Sequence, residues 1–179
     1  MNNKKELLIL ARKAINTRFG KKGLIVNGKI KKQFAKKQPC FVTLTENDEL
    51  RGCIGSLQAH KSLYQDIIDN AQNAAFRDPR FPPLTKEELS KTRIEVSILS
   101  EMKKIDFKTP EELLSKINNK MGIYLKKDLH SATFLPQVWS QINNKIEFLE
   151  HLSMKAGLSK DSWKTSEIYF YKVKKIKEK

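Results

Sequence analysis

Residues 41–55 read FVTLTENDELRGCIG, two runs of strand-forming residues with a polar turn between them. The turn, Glu46–Glu49, is short, and strands joined by so short a loop pair in antiparallel, so the pattern predicts a β-hairpin. The second run brings a thiol, a guanidinium and two glycines to one strand end. Because glycine lacks a Cβ, Gly52 and Gly55 predict main chain that a ligand can approach closely.

The chain has two cysteines, too few for a disulfide framework. In the predicted hairpin we expect Thr45 to face Leu50. Cys53 then lies opposite Val42, and Cys40 is its diagonal neighbour on the same face. Diagonal neighbours lie roughly 7–8 Å apart, which is at or beyond disulfide geometry. A different loop length would place the two cysteines on opposite faces, and in either arrangement we expect reduced thiols.

The size and composition are those of one globular domain: 179 residues with 39% hydrophobic content. No apolar run approaches the roughly 18 residues that a membrane helix needs. Residues 1–5 lead into an amphipathic segment rather than a signal-peptide core. We therefore expect a soluble, cytoplasmic protein with no membrane partner and a single domain over residues 1–179, including a lysine-rich loop at 20–38 and a basic tail at 172–179.

The net charge is +15, and residues 7–45 contain ten Lys or Arg residues and no acid. This charge is compatible with nucleic-acid binding, but only six of the 35 basic residues are Arg, the residue that recognises phosphate in a bidentate manner. A single aromatic residue, Phe34, interrupts the lysine run, far fewer than a base-stacking platform needs. Lysine also keeps proteins soluble, so a solvated basic surface is the simpler interpretation.

Helix signals occur at five places. Apolar residues recur at helical spacing from Leu7 to Arg18, and Gly20 and Gly23 end that run. The other four begin at recognisable caps: capping boxes at Ser62–Gln65 and Thr85–Glu88, a proline at the first helical position in Thr109-Pro110, and Asn144 before a helix that ends at Gly157.

Strand signals add a half-buried strand over Ile94–Ile98, a second hairpin from Gly122–Lys126 and Ser131–Leu135, and a final strand from Glu167 to about Val173 before a frayed tail. Strands and helices do not alternate as parallel crossovers require, and hairpins appear twice. The fold class is therefore α+β, with a mainly antiparallel sheet flanked by helices.

The segment Phe76–Pro83 must run extended, because a residue before proline avoids the helical region. Such stiffness suits the wall of a binding site. Arg51, Asp78 and Arg80 are candidates for an ion-paired anion site in which the carboxylate orients one guanidinium toward a ligand. The alternative is a salt bridge that serves the structure alone.

Cys53 is the candidate nucleophile. Positive charge favours a thiolate; Arg51 lies on the same side of a regular strand, and Arg80 can approach from the proline-rich segment. The motif itself supplies no base, although His60 lies beyond Gly55 and could reach back. The alternative, which the residue type favours, is a small buried strand cysteine. Cysteines and histidines lack ligand spacing, so we expect no metal site and no cofactor.

Five further positions are candidate ligand contacts. Gly52, Ile54 and Gly55 flank the thiol along the same strand. Gln137 and Trp139, which follow the break at Pro136, offer an amide and an indole N–H that can orient a small ligand. Trp139 is also the kind of residue that anchors a neighbouring helix in a core.

Four runs occur along the chain in this order: Phe41-Val42-Thr43-Leu44 with Leu50-Arg51-Gly52-Cys53-Ile54-Gly55; Ala74-Ala75-Phe76-Arg77-Asp78-Pro79-Arg80-Phe81; Ile94-Glu95-Val96-Ser97-Ile98-Leu99-Ser100; and Thr133-Phe134-Leu135-Pro136-Gln137-Val138-Trp139. Together they resemble the AMMECR-type domain, also called AmmeMemoRadiSam system protein A. The resemblance implies an α+β unit of two unequal subdomains with a cleft lined by Arg51–Gly55. It also implies association with a Memo-type, dioxygenase-like protein and with a radical S-adenosylmethionine protein, but no particular reaction.

Two hypotheses of function remain open. In the first, the protein is an enzyme or a substrate-presenting component that acts with those two partners and binds a small anionic molecule around Arg51, Cys53 and Arg80. In the second, it is a noncatalytic adaptor or an RNA-binding module that uses the lysine-rich first third.

Overall fold

The computed structural model describes residues 3–20 and 23–179, which divide into two unequal compact units. Unit 1 comprises Met1–Leu99 with Lys174–Lys179, and unit 2 comprises Ser100–Val173. Each unit contains helices and a four-stranded sheet with antiparallel pairing, so the predicted α+β class is confirmed. Over the described part of the chain, no helix combines the length and apolarity needed to cross a bilayer.

Unit 1 packs two long helices on one sheet. The elements of unit 1 are α1 (Asn3–Asn16), α2 (Gly28–Gln33), β1 (Cys40–Glu46), β2 (Glu49–Gly55), α3 (Leu63–Phe76), α4 (Lys86–Lys91), β3 (Thr92–Leu99) and β8 (Val173–Lys177). Helix α3 packs against β1, β2 and α1, and α1 also contacts β3. The sheet has the order β2-β1-β3-β8, which leaves β2 at an edge.

Unit 2 has its own hydrophobic core. The elements of this unit are β4 (Lys103–Lys104), α5 (Pro110–Lys116), β5 (Gly122–Lys127), β6 (His130–Phe134), α6 (Lys145–Lys155) and β7 (Glu167–Tyr171), with 3-10 helices at Pro136–Ser140 and Lys160–Thr165. Its sheet has the order β4-β7-β5-β6. The predicted second hairpin is confirmed, with Tyr124 paired to Thr133.

The first hairpin forms as predicted, but a β-bulge changes its register. Thr45 does face Leu50, yet Leu44 pairs with Gly52, which leaves Arg51 as the extra residue. A bulge places two residues of one strand opposite one of the other. Every pairing beyond it is therefore displaced by one residue.

The expected position of Cys53 is consequently wrong. It lies opposite Thr43 rather than Val42, and therefore on the face opposite Cys40. Cys40 is fully buried in the core of unit 1, whereas Cys53 is half-buried. Both are free thiols, as expected, because the two side chains point to different sides of the sheet.

Helix caps fall largely where the sequence places them. Thr85 and Glu88 form the predicted capping box of α4, and Asn144 accepts the backbone N–H groups of the first turn of α6. The capping box expected at Ser62 does not form: the Ser62 hydroxyl donates to the Gln65 side chain at 2.7 Å instead of accepting a backbone N–H. Two polar side chains that can bond each other compete with the cap.

Two predicted irregular segments carry regular structure. Within the predicted loop 20–38, Asn27 caps the short helix α2, whose Ile30 packs against the core. The predicted tail 172–179 contains β8, with Ile176 buried. In both segments the apolar residues stand among lysines without a helical or strand-like period, a signal too weak to predict an element. That residues 1–179 act as one domain stays a prediction.

Candidate functional site

Cys53 lies on the edge strand β2 and is half-buried. Its Sγ is 3.2 Å from the Thr43 Oγ1 on the neighbouring strand, and either group can donate in that hydrogen bond. The thiol is free and is not paired with the other cysteine. Cys53 therefore differs from Cys40, which is fully buried.

Asp78 and Arg80 both hydrogen-bond to the backbone of Cys53 at the edge of the sheet. Asp78 Oδ2 accepts the Cys53 N–H at 2.8 Å, and Arg80 Nη2 donates to the Cys53 carbonyl at 3.2 Å. Asp78 in turn accepts hydrogen bonds from Nε and Nη2 of Arg80, at 2.9 and 2.7 Å. The proline-rich segment therefore fixes a guanidinium beside the thiol-bearing residue.

This ion pair shifts the pKa of both partners. The hydrogen bonds from Arg80 hold the pKa of the Asp78 carboxyl well below its usual range, against the opposing effect of burial. The pKa of the Arg80 guanidinium is raised, mainly by its hydrogen bonds to Asp78 and also by the negative charge of that carboxylate. The Asp78 side chain is buried and that of Arg80 is 54% exposed, so one end of the pair is fixed while the other meets solvent.

Arg51 occupies a different environment from the one expected. Its carboxylate partner is Glu88 of α4 and not Asp78: Nε and Nη2 donate to the two Glu88 oxygens at 2.9 and 3.1 Å. Nη2 also donates to the Pro82 carbonyl. With 8% of its surface exposed, Arg51 ties the bulge to α4 and the proline-rich segment, and its buried Nη1 has no hydrogen-bond partner among the described residues.

A model of the AMMECR1 family matches residues 8–176 of this chain. The chain belongs to the AMMECR1 family. A protein from Methanosarcina acetivorans is 44% identical over 149 residues, which cover 82% of this chain and 74% of that protein. Protein MK0488 from Methanopyrus kandleri is 38% identical over 180 residues, 96% of this chain and 86% of that protein.

The AMMECR1 fold assignment has a structural counterpart. The crystal structure of the uncharacterised protein PH0010 from Pyrococcus horikoshii matches this chain with a TM-score of 0.86 and 32% sequence identity. The match covers 97% of this chain and 90% of the other. The predicted family and its α+β architecture are therefore confirmed.

The glycines of the AMMECR1 motif serve packing within the protein. A Cβ on Gly52 would lie 2.2 Å from the Ala74 carbonyl oxygen of α3, and one on Gly55 would lie 2.4 Å from the Phe41 ring. Gly52 thus admits the backbone of α3, and Gly55 admits an aromatic ring from the paired strand. This corrects the expectation that the missing Cβ atoms leave main chain open to a ligand.

Two of the three remaining candidate positions, Ile54 and Trp139, contribute to the cores. The Ile54 side chain packs against the core of unit 1. In unit 2, Trp139 is buried: its indole N–H donates to the Met121 carbonyl at 2.8 Å, and its ring stacks on Phe148 at 3.6 Å. The indole N–H expected to meet a ligand is therefore already satisfied. Gln137 is exposed.

Two residues of the site, Thr43 and Glu88, were not predicted from the sequence. Thr43 meets the thiol only because the bulge moves Cys53 opposite it. Glu88 was expected as a capping residue, and it also binds Arg51, which lowers the pKa of its carboxyl. The spacing of Arg51 and Glu88 along the chain carries no signal that they meet. Over residues 3–20 and 23–179, no group of three His, Cys, Asp or Glu side chains is arranged to hold a metal ion.

Proposed function

We propose that this protein binds a small anionic molecule beside Cys53 and Arg80, and that the Cys53 thiol contacts that molecule directly. The observation that carries the proposal is a half-buried cysteine on an edge strand, whose backbone carbonyl accepts a hydrogen bond from a guanidinium that is 54% exposed. A cation near sulfur favours the thiolate, which is the nucleophilic form.

The geometry gives Arg80 a free donor for such a molecule. Its Nε and Nη2 bond to Asp78 and Cys53, while Nη1 forms no hydrogen bond with the described residues. Because the buried Asp78 carboxylate fixes the guanidinium plane, little side-chain entropy is lost when an anion binds. Arg51 donates to both carboxylate oxygens of Glu88, so its role is structural rather than ligand binding.

The resemblance described above supports a wider setting for this site. In that setting the chain is a cytoplasmic component that acts with a Memo-type protein and a radical S-adenosylmethionine protein, and its ligand is their shared substrate or product. The Memo-type and radical proteins supply the chemistry that the described residues do not. Whether Cys53 reacts or only binds distinguishes an enzyme from a substrate-presenting component.

Alkylation of the native protein tests the proposal, because the two cysteines are internal controls for each other. Iodoacetamide followed by peptide mass spectrometry is expected to label Cys53 and to leave the buried Cys40 unlabelled. Arg80→Gln is expected to slow labelling of Cys53 at neutral pH by removing the adjacent charge. Arg93→Gln, which removes an exposed charge elsewhere in unit 1, is the matched control.

Two results would contradict the proposal. The first is equal labelling of Cys40 and Cys53, which would mean that reactivity reports local opening rather than an exposed site. The second is an unchanged Cys53 rate in Arg80→Gln.

A second candidate function is an adaptor or RNA-binding module that uses a basic surface. Lysines around α2 are exposed, namely Lys29, Lys31, Lys32, Lys36 and Lys37. Phe34, however, packs against the core, so this surface offers charge without a stacking aromatic. A filter-binding titration with single-stranded RNA at two salt concentrations tests it, because contacts to several phosphates produce a steep loss of affinity with salt.

A further inference from the structure

The six arginines of the chain fall into two groups. Four pair with carboxylates: Arg12 with Glu178, Arg51 with Glu88, Arg80 with Asp78, and Arg93 with Asp48. The other two, Arg18 and Arg77, form no ion pair with any described residue. Both line the same cavity in unit 1.

This cavity has a volume of about 290 Å³ and lies where the end of α1 meets the end of α3. Its walls are Thr17, Arg18, Gln72, Asn73, Phe76 and Arg77. The volume is close to the lower end of the range for small-molecule sites, roughly 300–1,000 Å³. It is large enough for a phosphate group and part of the molecule that carries it.

The two walls are held together by polar and aromatic contacts. Gln72 Nε2 donates to the Ala14 carbonyl and to Thr17 Oγ1, each at 3.2 Å. The Arg18 guanidinium lies 5.9 Å from the centroid of the Phe76 ring, whose edge also meets Phe19. The positions of the cavity walls therefore depend on contacts within unit 1 alone.

We propose that this cavity binds the phosphate group of a small phosphorylated molecule. Guanidinium groups bind phosphate through paired, charge-assisted hydrogen bonds, and two of them match the double negative charge of a phosphate monoester. No acidic residue occurs in residues 7–45, which include Thr17 and Arg18, so that wall carries no opposing charge. Asn73 adds a side-chain amide that can donate to a phosphate oxygen.

Because the cavity lies at the C-terminal end of α3, binding of an anion there depends on the two arginines. The C-terminal end of a helix carries partial negative charge, which repels an anion. In this case the last-turn Asn73 carbonyl accepts the Arg77 N–H, so the backbone offers no donor there. Attraction must come from side chains, and loss of either guanidinium is expected to weaken binding strongly.

This site is separate from the one at Cys53. None of the residues that line the cavity hydrogen-bonds to Cys53, although Arg77 immediately precedes Asp78. The two proposals therefore fail independently. The two are distinguished by the residues whose loss weakens binding: Arg80→Gln tests the site at Cys53, and Arg18→Gln and Arg77→Gln test this cavity.

Isothermal titration calorimetry with inorganic phosphate and with adenosine 5′-monophosphate tests the proposal. Arg18→Gln and Arg77→Gln are each expected to raise the Kd by at least about tenfold, the effect of losing one charge-assisted hydrogen bond. Arg93→Gln removes the same charge from another exposed site and is expected to change the Kd by less than about twofold. Both cavity arginines are exposed, so the variants are expected to fold, and far-UV circular dichroism checks this.

Nuclear magnetic resonance gives a second readout that does not depend on the variants. Titration with phosphate is expected to shift the side-chain amide signals of Gln72 and Asn73, and acetate at the same concentration is not. The proposal is overturned if neither phosphate compound binds at about 10 mM, if Arg93→Gln weakens binding as much as the cavity variants, or if acetate produces the same shifts. Binding of single-stranded RNA without binding of either small compound also overturns it.

Discussion

The carboxylate of Asp78 accepts the backbone N–H of Cys53 at 2.8 Å, at the exposed edge of a sheet. Arg80, bonded to the same carboxylate, donates to the Cys53 carbonyl. The two side chains thus satisfy both backbone groups that another strand would bind at this residue. At this residue a side-chain ion pair takes the place of a neighbouring strand.

Replacing Asp78 is expected to destabilise the protein. Asp78→Asn keeps the side-chain size but removes the charge that Arg80 and the Cys53 N–H bind. We expect the free energy of unfolding to fall by about 1.5–3 kcal/mol, the usual contribution of hydrogen bonds to a charged group. Urea denaturation measures it. Asp69→Asn, which breaks the exposed pair with Lys61, is the control and is expected to have almost no effect. Equal losses in the two variants would contradict the role given to Asp78.

The same carboxylate makes stability depend on pH in acid. The pKa of Asp78 is lower in the folded protein than its unfolded value of about 3.9. The folded state therefore binds fewer protons, and the stabilisation is fully present above about pH 4 and is lost as the pH falls through the folded pKa. Glu88, whose pKa is also lowered by Arg51, adds to the loss. Urea midpoints measured from pH 6 downward are expected to fall less steeply for Asp78→Asn; identical slopes would argue against this linkage.

Adding a methyl group at Gly52 is expected to disturb the contact between β2 and α3. A Cβ there would lie 2.2 Å from the Ala74 carbonyl oxygen, which belongs to the backbone and cannot rotate away. Gly52→Ala is expected to lower the free energy of unfolding by about 1–3 kcal/mol or more. Gly28→Ala is the matched control, since nothing lies within 4 Å of its Cβ and the residue is in a helix. That control is expected to be neutral or stabilising, and thermal unfolding compares the two. A neutral Gly52→Ala would contradict the close approach.

Substitutions at Gln137 and Trp139, which both follow Pro136, are expected to differ sharply in their effect on stability. Trp139→Phe leaves the Met121 carbonyl without its donor and is expected to cost about 1–3 kcal/mol of folding free energy. Gln137→Ala, at an exposed position of the same 3-10 helix, is expected to have little effect on stability. Chemical denaturation of both variants is the measurement. If Gln137→Ala were the more destabilising, the assignment of Trp139 as a core anchor would be wrong.

Where a signal lies within a few consecutive residues, the sequence predicts the structure well. Asn144, Thr85 and Thr109 begin their helices as expected, because a cap needs only backbone groups two or three residues away. Strand β5, Gly122–Lys127, also forms as predicted, because the short turn that joins it to β6 involves only neighbouring residues. The sequence also predicted the α+β class, the family and the two free thiols.

Three features of the candidate sites depended on the tertiary structure. A bulge at Arg51 moved Cys53 to the other face of the sheet, and Gly52 met a helix rather than a ligand. Arg18 and Arg77, far apart in the chain, came to line one cavity. The order of residues determines which groups are present and how each short segment folds. Which groups meet depends on the strand register and on the packing of α1 against α3. Both are set by contacts between residues that are distant in the sequence, so no short segment predicts them.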